Sequence, residues 1–92
     1  MMNYATLLQQ IAAGDEVARA EIYALDEEAI TPLIDEFYAG VNEATGLIII
    51  EILSDIGGFE ARMLLEDVVH LSARYLYETW RLAARLGLAQ YQ

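Results

Sequence analysis

The sequence predicts an all-α domain: five or six antiparallel helices in a short solenoid-like array. Three observations carry this reading. The longest aliphatic run, within residues 42–58, has helical rather than strand character. Glycines and capping side chains punctuate the chain at helix-length intervals. The apolar pattern also repeats at a spacing near 30 residues, with two helices per unit.

The first helix falls over residues 3–13, where Tyr4, Leu7, Leu8 and Ile11 share one face at the i, i+3, i+4, i+7 spacing. Gly14 suits its end and Asp15 caps the next helix, Glu16 to Ala24. The apolar face of that second helix (Val17, Ala18, Ile22 and Leu25) is thin, which places it at the domain edge. Asp26 is the expected cap of a third helix, with Glu27 and Glu28 at the positive end of its dipole and Leu25 stapled onto Ile30. Ile30, Leu33, Ile34 and Phe37 form its face. Pro32 belongs in a first turn, because a proline in a helix interior costs ~3 kcal/mol. Gly40 ends this helix.

The central helix follows, capped by Asn42 and ended by Gly57 and Gly58. As a strand it would alternate poorly. As a helix it shows one stripe (Glu43, Leu47, Glu51, Ser54 and Asp55) on a cylinder that is otherwise aliphatic, so neighbours are expected on most sides. Gly46 costs ~1 kcal/mol relative to Ala there, which a close backbone approach would justify. A fifth helix begins after Gly58, with Ala61, Leu64, Leu65 and Val68 on one face. Beyond it Ser72 can cap a sixth helix reaching Leu86, with Gly87 past its end. The apolar phase nevertheless runs unbroken through Leu71, Tyr75, Leu76, Leu82 and Leu86, so one long helix over 59–86 competes with a break near 70–73.

Two segments echo one another. Ala29, Leu33, Asp35 and Phe37 match Ala61, Leu65, Asp67 and Val69 at a shift of 32; Ile52, Leu53, Ile56 and Gly57 match Leu82, Ala83, Leu86 and Gly87 at a shift of 30. The run from Ile56 to Glu66, Ile-Gly-Gly-Phe-Glu-Ala-Arg-Met-Leu-Leu-Glu, resembles the junction of HEAT-like repeats of the phycobilisome-lyase type. Glu28 to Ile34 resembles the start of such a unit, early proline included, and Leu7 to Leu25 an N-terminal half-unit. The family often carries an Asp after the Ile-Gly and an Arg early in each second helix. Here Gly58 takes the Asp position, while Gly46 and Leu76 fall near the Arg positions. The resemblance implies a protein-binding scaffold, and it allows a lyase-type subunit handling a small apolar ligand.

Composition narrows the function. Ninety-two residues make one domain with room for a core. The apolar fraction of 57% exceeds the globular norm, so part of it is expected to be exposed or covered by another chain. Fifteen acids face five arginines and no lysine, and a net charge of −10 opposes nucleic-acid binding. The charge is uneven: residues 1–58 hold eleven acids and one base, residues 59–92 four of each. The absence of Cys removes disulfides, thiolate catalysis and Cys-type zinc sites. No signal-peptide pattern opens the sequence and no apolar run nears the ~20 residues that span a bilayer, so a cytoplasmic location without membrane contact is expected.

Candidate chemistry is sparse. His70 with Glu66 and Asp67 can meet on one helix surface as a metal or acid–base group, or form a surface ion-pair cluster, which such a pattern more often is. The carboxylates Asp26, Glu27 and Glu28, and the pairs Asp35–Glu36 and Glu66–Asp67, read as caps and solvated faces. No catalysis, cofactor or metal is expected. Arg74, Glu78, Arg81 and Arg85 form the only basic stripe, at i, i+4, i+7, i+11. It reads as a solvated face or as a contact for an acidic partner, such as the acidic half of a second copy. Tyr77 and Trp80 are interface-prone residue types, and core packing is the alternative for Trp80. The second helix of each pair would line a concave surface, which nominates Arg19, Tyr23, Glu43, Leu47 and Glu51 beside the arginine stripe. The expected function is a non-catalytic interaction module, with a protein partner or homodimer. The alternatives are the ligand-handling subunit and a structural dimeric bundle.

Overall fold

A computed structural model describes residues 3–70 and 77–91. Within them the chain forms six α-helices and no strand: α1 Tyr4–Ala12, α2 Glu16–Leu25, α3 Ile30–Ala39, α4 Glu43–Ile56, α5 Phe59–His70 and α6 Glu78–Leu88. Short 3-10 turns follow α2, over Asp26–Ala29, and α6, over Ala89–Tyr91.

Most helix ends follow local chemistry. Asn3, Asp15 and Asn42 sit in extended backbone, and their side-chain oxygens accept backbone N–H groups of the first turn, those of Thr6, of Val17 and Ala18, and of Thr45. Each satisfies a donor that the helix cannot. Gly57 leaves α4 with φ +80°, a backbone that L side chains rarely adopt.

Helix α4 is the centre of the fold. It packs against α1, α3, α5 and α6. Ile49, Ile50, Ile52 and Leu53 are fully buried, each contributing about 1.5–3 kcal/mol of transfer free energy. Leu8, Ile22, Leu33, Leu64, Leu65 and Val68 complete the core around them. The radius of gyration, 12.2 Å, is close to the ~12 Å of a globular chain of this length.

The helices from α3 onward form two hairpins. Across α3 and α5, Thr31 meets Glu60 and Tyr38 meets Asp67. Both numbers rise together, so these helices run parallel. Across α4 and α6, Glu43 meets Thr79 and Trp80, Gly46 meets Trp80, and Ser54 meets Gly87. These two are parallel as well. Hairpin α3–α4 therefore lies on hairpin α5–α6 like on like. The α3–α5 partners are 29 residues apart, three fewer than the echo, or about one helical turn.

Several expectations are corrected. Asp26 does not cap α3. It ends α2 with φ +52°, and a 3-10 turn without a side-chain cap leads into α3. Pro32 lies in the first turn of α3, as proline requires. Ser54 belongs to the buried side of α4, its hydroxyl donating to the Ile50 carbonyl at 2.7 Å. Val17 is 68% exposed, so α2 buries only Ala18 and Ile22 fully. Residues 59–86 are not one helix, because Tyr77 is extended before α6 begins at Glu78. The proposed Ser72 cap lies outside the described residues. Gly87 is inside α6 and buried, not beyond its end.

Candidate functional site

Helices α4 and α6 run side by side and open to one face. Along α4, Glu43, Leu47, Glu51 and Asp55 recur every four residues on one line. Leu47 is half-buried and the three acids are exposed. Glu43 accepts from the Thr79 hydroxyl at 2.8 Å, while its backbone carbonyl accepts the Trp80 indole N–H at 2.9 Å. Asp55 accepts from the Tyr23 hydroxyl at 2.5 Å, which brings α2 to the far end of the line. The Tyr23 phenol is pushed up to about 12, first by burial, then by the bond to and negative charge of Asp55; Arg19 works in the opposite direction.

Helix α6 supplies the other half. Trp80, Ala84 and Gly87 face inward. Leu82 and Leu86, one turn apart, face outward and are 52% and 72% exposed. Between the helices runs a shallow groove of about 270 Å³, lined by Glu51, Asp55, Ala83, Leu86 and Gln90 over Ser54 and Gly87.

The nominated residues divide. Glu51, Glu78 and Arg85 are exposed and Leu47 is half-buried. Glu78 holds Arg81 at 2.6 Å, and this bond and the Arg81 charge keep its carboxyl below the usual range. Tyr77 is partly exposed, its ring 4.8 Å from that of Trp80. Trp80 is a core residue, 6% exposed, tilted against Phe37 with ring centroids 4.8 Å apart. It therefore supports the face from beneath. Arg74 lies outside the described residues.

Leu82 and Leu86 were not among the nominated residues, because they continue the apolar phase of the preceding segment. A competing stripe was available: Trp80, Ala84 and Gly87 at i, i+4, i+7, one large residue with two small ones, as a close helix contact requires.

The His70 cluster does not come together. His70 is exposed on α5; Glu66 binds Arg62 at 3.2 Å, and Asp67 accepts from the Tyr38 hydroxyl at 2.9 Å. Among the described residues no three His, Asp or Glu side chains are grouped to hold a metal ion, and no described helix is long and apolar enough to cross a membrane. No protein-family model matches the chain, and neither does any curated protein or solved structure.

Proposed function

We propose that this chain is a non-catalytic protein-interaction module, a minimal HEAT-like array whose docking face is the outer side of α4 and α6. The observation that carries the reading is the exposure of Leu82 and Leu86 beside the acidic line of α4. Two leucines one turn apart are more than scattered surface apolarity, and an aliphatic ridge rimmed by charge is the usual layout of a docking surface. The like-on-like stacking of the two hairpins supports the array, since repeated units of that kind present their second helices as one surface. The ligand-handling alternative draws no support from His70, which stands exposed on α5.

The test is position-resolved. A photo-crosslinking residue at position 86 should trap protein adducts in the native host, and the same residue at the exposed position 35 on α3 should not. Equal labelling at both positions would overturn the assignment of the face.

A further inference from the structure

We infer that the cleft where α3 and α5 begin and α4 ends is a binding site for a small aliphatic amine, which enters hydrocarbon tail first and leaves its ammonium group at the mouth. The site is separate from the α4–α6 face, and it does not depend on the interaction reading above.

The cleft is open and holds about 370 Å³, at the lower end of the sizes that take small ligands. Its depth is apolar: Ile30 is buried and Ile56 half-buried. Phe59, which also lines it, is 77% exposed, an aromatic side chain with little protein cover. Its mouth is acidic. Glu27 and Glu60 are both exposed, and neither is in an ion pair among the described residues. The Thr31 hydroxyl donates to Glu60 at 3.2 Å. That bond holds the carboxylate at the cleft and leaves it lone pairs for a further donor.

Charge selects a cation. Two helices begin at the cleft and one ends there. At about half a charge per helix terminus, these offset only part of two carboxylates. Within four positions of the lining residues stand four further acids, Asp26, Glu28, Asp35 and Asp55, and one base, Arg62. Arg62 is held by Glu66 at 3.2 Å, and Arg19 of α2 is engaged at Tyr23.

The order of apolar depth and acidic mouth selects the kind of cation. A lysine side chain of a partner protein would enter charge first, and its ammonium would lose water against Ile30 and Ile56. A free alkylammonium ion enters the other way round. Its tail covers the isoleucines and Phe59. Its three N–H donors stay in reach of water and of the carboxylates of Glu27 and Glu60.

A chemical-shift titration of the isotope-labelled full chain with n-hexylammonium chloride tests the site. Saturable shifts should appear at the amides of Thr31, Gly57, Gly58 and Glu60. Shortening the amine to n-butylammonium should weaken binding about fourfold or more, because two methylenes leave the apolar depth. 1-Hexanol, with the same tail and no charge, should bind about fivefold more weakly than n-hexylammonium. Glu27→Gln/Glu60→Gln should weaken n-hexylammonium by a similar factor, and Phe59→Ala about threefold. Glu16→Gln/Glu21→Gln on α2 makes the same change in net charge away from the cleft and should leave binding within about twofold. A blocked lysine, Nα-acetyl-lysine amide, should bind more weakly than n-butylammonium, which has the same four-carbon stem. All the substituted positions are exposed, and circular dichroism checks that the fold is kept. Shifts that do not saturate, or that spread over the acids of the whole chain, overturn the site. So does an α2 variant that weakens binding as much as the cleft variant. Blocked lysine matching n-butylammonium overturns tail-first entry and with it the free amine as ligand.

Discussion

The two stacked hairpins meet along two seams, and the seams are built differently. Between α3 and α5, side chains reach across: the Thr31 hydroxyl donates to Glu60 at 3.2 Å and the Tyr38 hydroxyl to Asp67 at 2.9 Å, both at exposed positions. Between α4 and α6, glycines remove side chains altogether. A Cβ on Gly46 would lie 2.2 Å from Cζ2 of Trp80, and one on Gly87 would lie 2.1 Å from Oγ of Ser54. Exposed hydrogen bonds compete with water and contribute little net. A ring seated in a glycine notch has no such competitor and no room to adjust. The α4–α6 seam therefore sets the distance between the hairpins, and the α3–α5 bonds adapt to it.

The largest expected effect is on the glycine seam. Trp80→Ala removes a buried indole and leaves a cavity above Gly46, a loss of about 3–5 kcal/mol. Against the 5–15 kcal/mol typical of a domain that is a large share. Urea unfolding should show a midpoint lowered to match, and a drop below ~1 kcal/mol would mean that the seam is not what joins the hairpins.

Gly46→Ala sharpens the same point through its sign. In an unobstructed helix the change stabilises by ~1 kcal/mol. Here the new methyl meets the indole, and overpacking of this kind costs about 1–3 kcal/mol, so a net loss is expected in the wild-type chain. In a Trp80→Leu background the obstruction is gone and the same change should stabilise. Thermal melts of the four proteins measure the coupling, and an unchanged sign would count against the notch.

These two residues also show how far the sequence could be read. A glycine inside an aliphatic helix announced a close approach, but the partner proved to be a side chain from 34 positions away rather than a backbone. Caps were legible where one residue does the work locally, as at Asp15 and Asn42. They were not legible where the backbone turns without a side-chain bond. Asp26 has the composition of a cap, yet it takes a positive φ where α2 gives way to the 3-10 turn. Helix α6 begins after Tyr77 with no capping side chain, so nothing marked Glu78 as its start. The acids of the proposed docking face were legible because α4 shows one polar stripe. Its leucines were hidden because an apolar phase running through 71–86 assigned them to the core, and only the small-residue stripe of α6 reveals which side turns inward.

The α3–α5 seam should respond weakly. Tyr38→Phe and Thr31→Val each remove one exposed hydrogen bond and leave the carboxylate to water, so each should cost no more than about 1 kcal/mol. Combined, they should not approach the Trp80→Ala loss. A larger penalty would make the α3–α5 bonds a second clamp and reverse the ranking of the seams.

A further effect is alkaline and lies where α2 meets the end of α4. Tyr23 is held at about 12 against an ordinary 10. The folded chain thus keeps the phenol proton that the unfolded chain loses first. The stabilisation tied to that proton is complete below pH 10 and disappears as the pH rises from 10 to about 12. Tyr23→Phe should therefore be less pH-sensitive than wild type across that window, with the difference between their urea midpoints narrowing as pH increases. Burial is the foremost cause of the shift and Asp55 the next. Asp55→Asn should accordingly lower the tyrosine titration without returning it to 10. A full return would show that the carboxylate charge alone holds the proton, and that α2 rests on α4 by electrostatics rather than by burial.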